Sequence, residues 1–248
     1  MRMEQILYAT ILIFIAIGIA WWNKVGTEKD LIVGGIRSMI QLIAVGYVLH
    51  IVFALNTLWS QLLLLLLMSI IAAWTARGRA KEVVGVCGLS FVGIIAGTMV
   101  SIGVLLATGV IQPVPRFLIP LGGMVIGNAM TATALVLDRF YHEIDGNRRK
   151  VEFALSLGFP AAEASRDYLK KAVRASMTPI INTLKIVGII QLPGAMTGML
   201  MAGATPIEAA KYQLIIMYMI TSAISVASVT TIILARKRFF NGDAGLAV

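Results

Sequence analysis

The feature that most constrains this chain is the repetition of long stretches that carry no charge: Gln5 to Asn23, Val83 to Gln112, Phe117 to Leu137, Ile186 to Ile207 and Leu214 to Ala235. Each is close to or above the ~20 residues a helix needs to cross the hydrocarbon of a bilayer. Ser38 to Ala76 is uncharged as well and long enough for two passes. A polar break at "ALNTLWSQ" divides it, placing helices at about Leu31 to Phe53 and Thr57 to Thr75. Lipid offers no hydrogen bonds to the backbone, so apolar spans of this length form helices. The expected fold is a single all-α membrane domain over residues 1–248, with about seven transmembrane helices. The opening "MRMEQILYAT" mixes Arg2 with Glu4 and runs into a bilayer-length stretch, so it reads as the first span and not as a cleaved leader.

Composition agrees, with 58% hydrophobic and 13% charged residues against about a quarter charged in soluble domains. A net charge of +9 raises nucleic acid as a partner, but the placement of the basic residues accounts for it better. With seven spans, all of the 21 Lys and Arg residues except Arg2, Arg116 and Lys211 fall on one side. Cytoplasmic loops retain Lys and Arg, so that side is the cytoplasm, the N-terminus is outside and the C-terminus inside. The outer loops, around Ala54 to Asn56, Gln112 to Pro115 and Gly203 to Lys211, are short. The one large polar element is the inner segment 138–182. Cys87 stands alone, which excludes an internal disulfide or a cysteine metal cluster.

Ionisable groups inside the expected spans are few, and each costs about 2.5 to 3.5 kcal/mol at mid-membrane on insertion scales. Arg37 lies near a cytoplasmic end and can snorkel; His50 sits near an outer end. No Asp or Glu occupies the middle of any span, which argues against a proton-coupled carrier built on a buried carboxylate relay. Small residues recur at helical spacing at Gly93, Gly97 and Ser101, at Gly123, Gly127 and Thr131, and at Gly194 and Gly198. Such stripes allow close helix packing in lipid, within one subunit or at a dimer seam, or line a sliding pathway. Pro113, Pro115 and Pro120 crowd the fifth span, and Pro193 interrupts the sixth, where bends or breaks are expected.

Methionines are frequent in the last three spans, among them Met124, Met130 and Met196; they serve either as flexible packing or as soft ligands. Beside them stand the polar Gln41, Asn128, Thr131, Thr133 and Gln191, which either line a path or bond across helices. The candidate substrate path is Gln41, Met124, Asn128, Met130, Thr131 and Met196, and metal ligands stay unassigned. "GGMVIGNAMT" mimics a phosphate-binding loop, but Asn128 and Ala129 stand where Lys and Ser or Thr are required, so it does not bind ATP. His50 and His142 fall on opposite sides and no catalytic set converges.

The segment "VEFALSLGFPAAEASRDYLKKAVRASMTPIIN" has the physics of a docking elbow. Glu152 to Leu157 can form a short helix, Gly158 can supply the left-handed turn that ends it, and Pro160 suits the first turn of the next. Glu163 and Asp167 lie early in that second helix and Lys170, Lys171 and Arg174 late, matching the macrodipole, with Asp167 and Lys171 spaced for an i,i+4 pair. A solvated or membrane-surface basic helix is the alternative.

Taken in order, "GIRSMIQLIAVGYVL", "PLGGMVIGNAMTATAL", that elbow, and "VGIIQLPGAMTGMLMAGATPIEAAKYQ" resemble the FetB-type iron-export permease family of bacteria and the related plant aluminium-tolerance permeases, from about Gly35 to Gln213. The resemblance implies the transmembrane half of an ABC transporter in the cell (inner) membrane, paired with itself and with a separately encoded cytoplasmic ATPase that holds ATP and magnesium. The chain itself would then carry no cofactor and no enzymatic activity, and no nucleic acid would be its partner. Import-type ABC permeases carry a Glu-Ala-Ala loop ending in Gly, and Glu152, Ala154 and Gly158 match its spacing with Phe153 in place of the first Ala. The motif's Pro falls nearer its Gly than Pro179 does here, so the following helix is longer. Glu152, Ala154, Gly158 and Pro160 are therefore the expected coupling residues, and Gly123, Gly127, Gly194 and Gly198 the expected packing glycines. Iron prefers oxygen and nitrogen ligands, whereas the spans offer Met, Asn, Gln and Thr with one His. A secondary carrier, or a membrane-embedded enzyme or signalling protein, remains the alternative function.

Overall fold

The computed structural model describes residues 3–55, 57–78, 80, 83 and 85–240. Arg2, Arg79 and Lys81 of the basic set, and Asn56 of the expected outer loop, lie outside them. The described residues form helices joined by turns and short loops, with one isolated bridge between Val187 and Gln191. They divide into an N-terminal unit, residues 1–57, and a larger unit, residues 58–248.

The N-terminal unit is a hairpin of α1 (Met3–Trp22) and α2 (Glu28–Leu55). Its turn reverses through Lys24 and Gly26, both at positive φ. Gly35 on α2 faces α1 closely: a Cβ there would stand 2.5 Å from the terminal methyl of Ile13, a side-chain end that can turn aside. Arg37 and Gln41 share an exposed face of α2 along a shallow cleft with Ile36 and Ile40.

The larger unit is built on α3 (Leu58–Arg77), α4 (Val86–Ala107), α5 (Pro115–Asp145) and α10 (Pro206–Phe239), with α6 (Arg148–Ser156), α7 (Ala161–Ala164), α8 (Arg166–Ile186) and α9 (Gly194–Met201) between the last two. α4 is pressed onto α10 because its small residues permit it. A Cβ on Gly97 would stand 2.6 Å from the Ala223 carbonyl oxygen, and one on Gly93 would collide with the Thr231 hydroxyl. Dispersion contacts at this separation replace the hydrophobic drive that lipid removes. α5 begins with Pro115 in its first turn, where a missing N–H is harmless. It then runs unbroken through Pro120, so the break expected there does not occur. α10 starts on a capping box: the Glu208 backbone N–H donates to Thr205 Oγ1, and the Thr205 N–H donates back to the Glu208 carboxylate.

One cluster of buried residues ties an entire end of this unit together: Val86 and Leu89 of α4, Phe140 and Ile144 of α5, Val151 of α6, Ala161 of α7, Ala172 of α8 and Phe239 of α10. Phe140 and Phe239 pack with centroids 4.9 Å apart and their rings tilted by 58°. Arg77, Arg139, Lys150, Arg166 and the run Arg236 to Arg238 belong to this end, whereas Arg116 and Lys211 start the α5 and α10 helices at the other.

Among the described residues five helices are long and apolar enough to cross a bilayer, namely α2, α3, α4, α5 and α10, and α1 carries a shorter apolar stretch, Thr10–Trp22. The expected sixth span, Ile186 to Ile207, is not one helix. α8 stops at Ile186, Gly188 turns at φ +82°, the Gly188 N–H donates to the Gln191 carbonyl, and α9 restarts only after Pro193. The segment 187–193 lacks a helical ladder because the glycine leaves the right-handed region and the proline has no N–H to give. Two details of the polar segment also differ from expectation. The second elbow helix breaks at Ser165 into α7 and α8. Asp167 pairs with Lys170 (3.7 Å) and not with Lys171, which reaches across to Glu143 of α5 instead.

Candidate functional site

The elbow follows from its own residues. α6 is held by the Arg148–Glu152 pair at 2.9 Å, an i,i+4 contact on an exposed face. The helix ends where Gly158 takes φ +85°, and the Phe159 N–H closes back onto the Ala154 carbonyl. This is the left-handed glycine stop that a Cβ would strain. Pro160 precedes α7 in extended backbone, accepting from the Glu163 and Ala164 N–H groups through its carbonyl. Nothing lies within 4 Å of a Cβ on Gly158, so its requirement is conformational and not steric.

Phe153, Leu157 and Phe159 are exposed around this turn, at 65%, 62% and 49%. Three large apolar side chains in an otherwise charged element form an uncovered hydrophobic knob. Beside it, Asn147, Lys150, Ala154, Phe159, Lys170 and Lys171 line a cleft of about 680 Å³. The elbow is anchored to the bundle by buried Val151 and Ala161 and by Lys171 Nζ at 3.4 Å from Glu143 Oε2.

Along α5, Met124, Gly127, Asn128 and Thr131 share one exposed face, opposite the buried Val125, Ile126, Ala129 and Ala132. Asn128 donates to the Met124 carbonyl (2.8 Å) and Thr131 to that of Gly127 (3.2 Å), so each hydroxyl or amide is parked on its own helix with its remaining capacity open. Met130 packs on the main core instead. The Met196 N–H donates to Oε1 of buried Gln213 (3.2 Å), which satisfies one of the free amides at the start of α9. Gln41 lies in the N-terminal unit.

Of the four packing glycines, Gly123 has a neighbour at 3.1 Å, the Met68 methyl, whereas Gly127, Gly194 and Gly198 have none within 4 Å in the single chain. The close approaches are made by Gly93 and Gly97. Among the described residues no three His, Cys, Asp or Glu side chains converge to hold a metal.

One row is not evident from the sequence. Lys171, Arg174, Thr178, Asn182 and Lys185 are exposed on α8, on the side opposite buried Ala172, Ser176 and Ile180. Their three- and four-residue spacing is the signal that identifies them as one face.

These features define an all-helical, multi-pass membrane protein of the cell membrane with an anchored polar elbow. The chain belongs to the family UPF0014, described as an uncharacterised protein family, whose profile matches residues 3–240. It is 33% identical over 245 residues to the Escherichia coli (strain K12) "Probable iron export permease protein FetB", covering 99% of this chain and 95% of that one. It is 34% identical to the membrane protein STAR2 of Oryza sativa subsp. japonica, over 94% of this chain and 82% of STAR2. To the Arabidopsis thaliana protein ALUMINUM SENSITIVE 3 it is 36% identical, over 94% and 85%. No solved structure matches the chain.

Proposed function

We propose that this chain is the transmembrane permease subunit of an ABC transporter, exporting iron or another metal cation or complex from the cytoplasm. It works as a homodimer driven by separate cytoplasmic ATPase subunits that carry the ATP and magnesium; this chain is not itself an enzyme. The observation that carries the reading is the elbow: a short helix, a left-handed glycine and a second helix, anchored on the bundle and tipped by Phe153, Leu157 and Phe159. A permease without a nucleotide site responds to ATP only through an element that docks on the ATPase. Iron enters through the E. coli relative, which is named for iron export.

Seven crossings, with the N-terminus outside and the C-terminus inside, suit the gathering of basic residues at one end of the larger unit. The sixth crossing is then a broken one, made by the second half of α8, the turn at 187–193 and α9. Broken spans with capped ends are tolerated where they line a cavity. Met124, Asn128, Thr131 and Met196 are the path candidates of the larger unit. The open faces at Gly127, Gly194 and Gly198 are available to a second copy.

Affinity purification of the tagged chain from its native membrane tests this directly. An ABC ATPase should co-purify in stoichiometric amount, and the complex should hydrolyse ATP. A chain that purifies free of any ATPase and moves solute alone is a secondary carrier.

A further inference from the structure

α8 enters the bundle much deeper than the polar character of its sequence implies. The Ser176 hydroxyl, also 2.8 Å from the Val173 carbonyl, shares a hydrogen bond with the Ser228 hydroxyl of α10 (2.9 Å), and Ser225 contacts the Met177 sulfur. Ile180 and Leu184 then share a cluster with Ala132, Met217, Ile220 and Ile224. The two helices therefore run antiparallel, and Leu184 lies level with the uncharged Leu214 to Ala235 stretch. Ile220 is roughly 24 Å from Arg236 along α10 at about 1.5 Å per residue. Lys185, next to Leu184, is at that depth, on the exposed face it shares with Arg174, Thr178 and Asn182.

A cation at that depth needs a counter-charge or water. No ion pair joins Lys185 to any described residue. Glu208, at the start of α10, lies before the Leu214 to Ala235 stretch. On that exposed face Lys185 calls for water or an anion.

Resting on the permease reading above, we infer that Arg174, Thr178, Asn182 and Lys185 line the transport path, and that they select a substrate bearing oxyanions. A metal would cross as an anionic chelate and not as a bare cation, which two positive side chains would repel. Thr178 and Asn182 supply neutral hydrogen-bonding positions between the two charges. The same oxyanion chemistry is offered by carboxylates and by phosphates.

Cysteine access in inside-out membrane vesicles tests this whatever the substrate is. In a Cys87→Ser background, Asn182→Cys and Thr178→Cys are labelled separately with a negatively charged sulfonatoethyl and a positively charged trimethylammonioethyl methanethiosulfonate. After normalisation to a free thiol, the anionic reagent should react at least fivefold faster at either position. Lys185→Gln should reduce that preference below twofold, and Lys185→Arg should retain it. Failure of both cysteines to react, equal rates, or a preference indifferent to Lys185→Gln would overturn the inference. Millimolar ferric citrate and inorganic pyrophosphate are the competing probes. Protection by the first identifies a carboxylate chelate, protection by the second a phosphate-bearing solute, and protection by neither, or by ferrous chloride alone, contradicts the substrate class. These rates do not depend on the ATPase, so its absence from the purified complex would sink the permease reading while leaving the access result to stand or fall by itself.

Discussion

Ser176 Oγ on α8 lies 2.9 Å from Ser228 Oγ on α10, with both residues buried. This cross-helix hydrogen bond marks the register in which α8 lies against α10. Hydrogen bonds between membrane helices couple by about 0.6 kcal/mol on average. A double-mutant cycle with Ser176→Ala and Ser228→Ala, followed by thermal unfolding in detergent, should return a coupling of that order. Additive losses would mean that packing and not the hydrogen bond holds the register.

The glycines divide by what surrounds them. A side chain at Gly97 meets the Ala223 carbonyl oxygen, which cannot move without shifting α10. Gly97→Val should therefore destabilise the fold by roughly 1 to 3 kcal/mol, as overpacking does, and lower the yield of monodisperse protein. Gly127→Leu meets nothing in the single chain. It should fold normally and alter the dimer fraction, measured by size exclusion with light scattering. Equal damage from both would place Gly127 in a contact within the chain.

Gly158→Val should act on coupling more than on folding. The position is open, so the penalty is that of a side chain at φ +85°, roughly 1 kcal/mol or more. Together with Glu152→Lys, which places a cation opposite Arg148, it should reduce ATPase pull-down or uncouple hydrolysis from transport. Lys170→Ala, on a solvated side with only the Asp167 contact, should leave both within twofold.

Asn128 and Thr131 lie on the unburied face of α5. If that face lines the path, Asn128→Leu should abolish transport while complex assembly and ATP binding persist. Unimpaired efflux from the variant would return both residues to helix packing.

Much of this architecture is legible in the chain itself, because a bilayer forces apolar stretches into helices. α5 and α10 follow from their uncharged cores, though both extend past them. The Gly158 turn is legible because a glycine between a short helix and a proline has few other uses. The break in the sixth span is legible at Pro193, but its start at Ile186 is not, since hydropathy averages over Gly188 and reports one continuous apolar window. Lys185 is misplaced for the same reason: it closes a charged segment in sequence, and only the contacts of Ser176, Ile180 and Leu184 reveal its depth. The pairing of Lys171 with Glu143, across 28 residues, likewise displaces the local Asp167 partner that spacing alone favours. Gly93 and Gly97 are separable from Gly127 only when the opposing helix is known.

The most direct measurement is uptake of radiolabelled iron into inside-out vesicles containing the chain and its co-purified ATPase. The account predicts accumulation that requires ATP and magnesium, and that stops when the ATPase's phosphate-loop lysine is replaced or when this chain is omitted. Accumulation at an undiminished rate in vesicles holding this chain alone, without ATP, would contradict it.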